Sequence, residues 1–178
     1  MNGPLKSPPF FAIFSFAAII AFVLQPTYSN ADTAKSAKSA EQTDSTFLID
    51  GRESEEIYIN TAQGRFRLTA EIADTPQKSQ KGLMFREQMP NDHGMLFRFA
   101  APRVVLMWMK NTPMSLDMVF LSPKGEVVSI AYATTPYSEK VISSGSEAIG
   151  VLEFKAGIAK LLGIQAGDTL EHRYFPSK

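Results

Sequence analysis

Residues 57–72 read IYINTAQGRFRLTAEI, and their alternation decides the fold class. Ile57 and Ile59 flank a tyrosine, and Phe66, Leu68, Ala70 and Ile72 alternate with arginine, threonine and glutamate. A period of two places one set of side chains on a buried face and the other in water. Gln63-Gly64 between the two arms supplies the turn, so the stretch predicts a β-hairpin. The same signal recurs downstream in Met95-Leu96-Phe97, Val104 to Met109, Leu116 to Leu121, Val127 to Ala131, Ile149 to Phe154 and Thr169 to Tyr174. Asn91-Asp92-His93-Gly94, Ala101-Pro102, Asn111-Thr112-Pro113 and Pro123-Lys124-Gly125 read as the turns between them.

Two short helices interrupt the strands. Asp74 or Thr75 can cap the first, Pro76 suits its opening turn and Gly82 can end it. The second is expected over Ala156 to Leu162, with Ile158, Leu161 and Leu162 on one buried face and Gly163 just past the end. Many short strands with two short helices predict a mainly β domain, a jelly-roll-like β-sandwich or partly open barrel. The serine-rich stretch Thr134 to Ala148 has no period and reads as a long loop that could cover a site.

Upstream of residue 47 the chain has another character. Phe10 to Leu24 holds fifteen uncharged, mostly apolar residues after Lys6, and Ser29-Asn30-Ala31 offers a cleavage site. That is the layout of a signal peptide over residues 1–31, and the run is short of the about 20 residues of a membrane span. An uncleaved anchor is the alternative. Residues 32–46 are small and polar and read as a disordered tether, leaving 47–178 as the folded domain. The expected location is therefore the periplasm or cell envelope.

Composition narrows the chemistry. The 178 residues carry 18 basic and 18 acidic side chains, so a nucleic-acid surface is not expected. The absence of cysteine removes thiol nucleophiles, disulfides and thiolate metal sites. His93 and His172 are too isolated for a zinc helix, and no nucleophile elbow, phosphate loop or dinucleotide fingerprint is present.

Several strings occur together in order: Gly82-Leu83-Met84-Phe85-Arg86, Gly94-Met95-Leu96-Phe97, Trp108-Met109-Lys110-Asn111-Thr112, Leu116-Asp117 and Val151-Leu152-Glu153. Ala156-Gly157 and Gly167-Asp168 follow. In these the chain closely resembles the DUF192 family, also called UPF0127, of small exported or membrane-tethered proteins, over roughly residues 57 to 174. The resemblance implies a jelly-roll-like β fold. It brings no established reaction, ligand or catalytic residue.

The motifs also concentrate polar groups. Alternation sets Asp117 beside Val119 and Leu121, and Glu153 beside Val151, so each acid must be paired, hydrogen-bonded or protonated. One reading is structural: both acids accept backbone N–H groups or pair with Arg86 and Lys110. The other is a ligand site in which Arg86 and Lys110 hold a polar or anionic group, Trp108 stacks, and Asn111, Asp117 and Glu153 orient the rest. No cofactor is expected, and the partner is a small polar ligand or an envelope protein. Two alternatives stand beside this. Asp117 and Glu153 could form the carboxylate pair of an envelope hydrolase. Met89, Met114 and His93, expected near exposed turns, could hold Cu(I), although core packing explains most of the methionines between residues 84 and 118.

Overall fold

The computed structural model describes residues 47–49 and 52–175. The signal peptide and tether expected over 1–46 lie outside the described residues. The elements run β1 (Phe47–Ile49), β2 (Arg52–Thr61), β3 (Gly64–Ala73), α1 (Pro76–Lys81), β4 (His93–Met107), β5 (Leu116–Leu121), β6 (Val127–Ala131), β7 (Ile142–Lys155), α2 (Ile158–Leu161) and β8 (Thr169–Glu171). The sheet order is β1-β2-β3-β4-β7-β5-β6, with β8 pairing to β2. A bridge between Glu126 and Thr169 ties the β6 end back to β8, so the sheet curls into a partly open barrel. Among the described residues no helix is long and apolar enough to cross a membrane.

The β2–β3 hairpin turns at Gln63-Gly64 as its pattern dictates, pairing Ile57 with Leu68 and Ile59 with Phe66. Thr75 caps α1 by accepting the Lys78 N–H at 3.2 Å, and Pro76 opens its first turn. Gly82 ends it at φ 46°, where a Cβ would stand 3.1 Å from the Phe97 ring. Both the backbone angle and that close approach favour glycine.

Two apolar clusters use the two faces of the curled sheet. Ile57, Ile59, Leu68, Leu96, Val119, Leu121, Leu152, Phe154 and Leu170 pack on one, drawn from strands all around the curl. Leu83, Met95, Phe97, Met109, Leu116, Met118, Phe120 and Val151 pack on the other, beneath the segment that follows α1. Strand β5 is buried on both faces, as its apolar residues on both sides of Asp117 require.

Three expectations are corrected. Ala101-Pro102 does not end a strand: β4 runs through it, with a register shift against β7 between Arg98 and Arg103. Proline is tolerated in a sheet at such a bulge, where a ladder bond is already missing. Residues 142–148, expected in the serine-rich loop, form the first half of β7. Ser144 Oγ accepts the Val105 N–H at 3.0 Å and donates to the Ser146 carbonyl at 2.6 Å, so a hydroxyl stands in for ladder bonds at a second register shift, between Val104 and Leu106. Finally, α2 is shorter than expected and Leu161 is exposed; Ile158 is buried as expected, with Ala159 beside it.

Candidate functional site

The Trp108-Met109-Lys110-Asn111-Thr112 turn follows directly on β4. Met109 and Thr112 are buried and pin it, with the Thr112 N–H donating to the Met109 carbonyl at 3.1 Å. Trp108, immediately before Met109 in the chain, stays 54% exposed. Two neighbouring segments lock onto this turn through the backbone. The Phe85 N–H donates to the Asn111 carbonyl at 2.7 Å, and the Tyr137 N–H to the Thr112 carbonyl at 3.1 Å. Phe85, Asn111 and Tyr137 all adopt positive φ (62°, 52° and 59°). That region costs a non-glycine residue about 1–2 kcal/mol and is kept where the surroundings over-determine it. Here the strained residues present aromatic rings to solvent: Phe85 is 74% and Tyr137 64% exposed.

Beside the turn lies a cavity of about 230 Å³. The end of α1 contributes Ser79, Gln80 and Lys81, both arms of the bulged β4 contribute Phe97, Phe99, Leu106 and Met107, and the turn contributes Trp108, Lys110 and Thr112. Glu153 reaches it from β7. Register explains its aim: Glu153 stands opposite Met95 of β4 and Met118 of β5, on the face of the second apolar cluster. Glu153 is 3% exposed and has no hydrogen-bonding or ionic partner among the described residues. Desolvation pushes its carboxyl up to about 8, so the group is predominantly protonated at neutral pH.

Asp117 has a different fate. It stands opposite Phe154, on the other face of the sheet. Its Oδ1 accepts the Ala133 N–H at 2.8 Å, and its Oδ2 accepts those of Gly157 at 2.8 Å and Ala159 at 3.0 Å. It is structural glue between β6 and the start of α2. The two acids point to opposite faces and form no carboxylate pair, which removes the geometry a two-carboxylate hydrolase needs.

Arg86 also lies apart from Trp108. It makes a two-pronged pair with Glu71 at 2.6 and 2.8 Å, and His93 Nε2 lies 3.1 Å from the same carboxylate. Burial raises the Glu71 carboxyl, but the bonds from His93 and Arg86 outweigh it and hold the group at about 2. The network depends on parallel pairing of β3 and β4, which sets Thr69 beside His93, and Thr69 Oγ1 lies 2.8 Å from His93 Nδ1. Asn111 contributes its backbone, and its side chain makes only a 3.9 Å contact to Met84 Sδ. Met89, His93 and Met114 are buried rather than exposed, and both ring nitrogens of His93 are engaged. Among the described residues no group of three or more histidine and acidic side chains is placed to hold a metal.

Of the six residues expected at one site, the structure brings together Trp108, Lys110 and Glu153. It adds Lys81 and Thr112, which the sequence reading did not select as site residues.

Comparison with known proteins agrees with the architecture. The profile of DUF192, described as Uncharacterized ACR, matches residues 58–172. Among solved structures, the chain is similar to a protein of Sinorhizobium meliloti 1021 described as a candidate transcription regulator. The two are 43% identical with a TM-score of 0.67, over 68% of this chain and 95% of that one. It is also similar to a protein of unknown function from Novosphingobium aromaticivorans DSM 12444, 31% identical with a TM-score of 0.69, over 76% and 98% of the two chains. No curated protein matches.

Proposed function

The chain belongs to the DUF192 family, and we propose that it is an exported binding module of the cell envelope whose ligand occupies the Glu153 cavity. The observation that carries this is the partnerless carboxyl of Glu153, buried in a cavity walled by Phe97, Phe99 and the half-exposed ring of Trp108. A folded chain ordinarily pairs a buried acid, as Asp117 does here. An open cavity lined by apolar side chains with a few polar groups and one perturbed acid is the usual form of a ligand site.

Export rests on the charge-free run Phe10 to Leu24 and the small residues before Asp32. N-terminal sequencing of the protein recovered from the cell envelope tests it: a mature end at Asp32 supports cleavage, and an intact Met1 in the membrane fraction supports an anchor. Trp108 is the sole tryptophan, so its fluorescence reports on the cavity directly. Thermal melts followed at Trp108 against a panel of envelope sugars, peptides and anionic metabolites test binding. A ligand at about 100 times its Kd adds about 2.7 kcal/mol. With the melts of wild type and Trp108→Ala both read by circular dichroism, because the variant lacks the fluorophore, stabilisation that vanishes in Trp108→Ala supports the site, and stabilisation that survives it places the ligand elsewhere.

A further inference from the structure

We propose that the ligand of this cavity is a small organic anion, a monocarboxylate carrying a compact apolar or aromatic body. The inference rests on the binding reading above and adds the chemistry of the ligand. The ionisable groups lining the cavity are Lys81 from α1, Lys110 from the turn and Glu153 from β7. The faces of β4 and β5 packed against Glu153 present methionine and phenylalanine, and Glu139, outside the lining, stands 3.8 Å from Lys110 at the surface. With Glu153 protonated, the lining carries two positive charges and no negative one, a field that attracts anions and repels ammonium groups.

A protonated carboxyl is also a hydrogen-bond donor, and its strongest acceptor is a charged oxygen. The walls set the rest of the ligand. Leu83, Phe97, Phe99, Leu106, Met107 and Trp108 offer hydrocarbon and ring faces. The hydroxyls and amide of Ser79, Gln80 and Thr112 are too few to satisfy a polyhydroxylated sugar. At about 230 Å³ the space is below the about 300–1,000 Å³ typical of drug-sized ligands, which suits one ring or a short chain.

Isothermal titration of the full chain with phenylacetate, phenylacetamide and phenethylamine, three probes of one shape and different charge, tests this. Phenylacetate is expected to bind at pH 6 in preference to the other two. Its affinity should fall about tenfold by pH 9, as the donor form of Glu153 becomes a minor species. Glu153→Gln keeps both lysines and removes the titrating acid, so binding should weaken and its pH profile flatten. The Lys81→Ala, Lys110→Ala double variant should lose phenylacetate binding. Preference for the amine or the amide, or an unchanged pH profile in Glu153→Gln, overturns the anion assignment while leaving a binding cavity in place. Silence from all three probes overturns the assignment and the binding reading together.

Discussion

Replacing Glu153 with glutamine should make the protein more stable, increasingly so as pH rises. The folded carboxyl titrates at about 8 against an ordinary value of 4.5. Between those limits the unfolded chain has released the proton and the folded chain still holds it. Stability must therefore fall as pH climbs from 4.5 to 8 and then level off. Each pKa unit is worth about 1.4 kcal/mol, so Glu153 costs about 3 kcal/mol at pH 7 and about 5 above pH 8. Glutamine has nearly the same shape, stays neutral and carries no such penalty. With a urea slope of about 1–3 kcal/mol/M, the pH 7 difference moves the midpoint by about 1–3 M. Urea melts of the full chain and of Glu153→Gln at half-unit steps from pH 4 to 9 make the comparison. The two stability curves should meet near pH 4.5 and diverge toward pH 8. Parallel curves across that range would refute the claim that Glu153 is an unpaired, desolvated acid.

Other substitutions separate scaffold from site. Asp117→Asn puts an N–H donor where an acceptor is needed by Ala133, Gly157 and Ala159. It should cost about 3 kcal/mol in a urea melt and leave calorimetric ligand binding on the opposite face unchanged. Arg86→Ala strands Glu71 with His93 as its remaining partner, at a cost of about 3 kcal/mol. Because the folded Glu71 carboxyl is depressed to about 2, the wild type should lose stability as pH falls from 4.5 toward 2. That acid limb should shrink in Arg86→Ala, read by circular dichroism at stepped pH. Trp108→Ala removes a half-exposed ring and should move stability by less than about 0.5 kcal/mol while abolishing the heat of ligand binding.

Local rules sufficed for much of the fold. The hairpin, α1 with its Thr75-Pro76 start and Gly82 stop, and the mostly apolar β5 are each written in a short local stretch of sequence. What required distant chain was not legible. Pro102 reads as a strand breaker until β7 supplies a bulge that tolerates it. The serines at 143–146 read as loop until Val105 presents an N–H for Ser144 to accept. Glu71 looked like a solvent-facing strand residue and His93 like a turn residue. Only the parallel β3–β4 pairing, with α1 and the segment after it between them in the chain, places them side by side.

Asp117 and Glu153 mark where pattern reading stops and register begins. In sequence they are equivalent, each an acid alternating with aliphatic residues on a central strand. Pairing β5 with β7 sends them to opposite faces, and the neighbours then decide their chemistry. On Asp117's face, Ala133 and Gly157 sit at positive φ and, with Ala159, supply three N–H groups to its carboxylate. On Glu153's face no donor is supplied, although Thr112 and two lysines line the same cavity. A leucine or glutamine at 153 would spare the fold about 3 kcal/mol at pH 7, a large fraction of the about 5–15 kcal/mol that holds a domain together. An acid held at that cost in a cavity lined by Trp108 and two lysines is the group on which the proposed anion site rests.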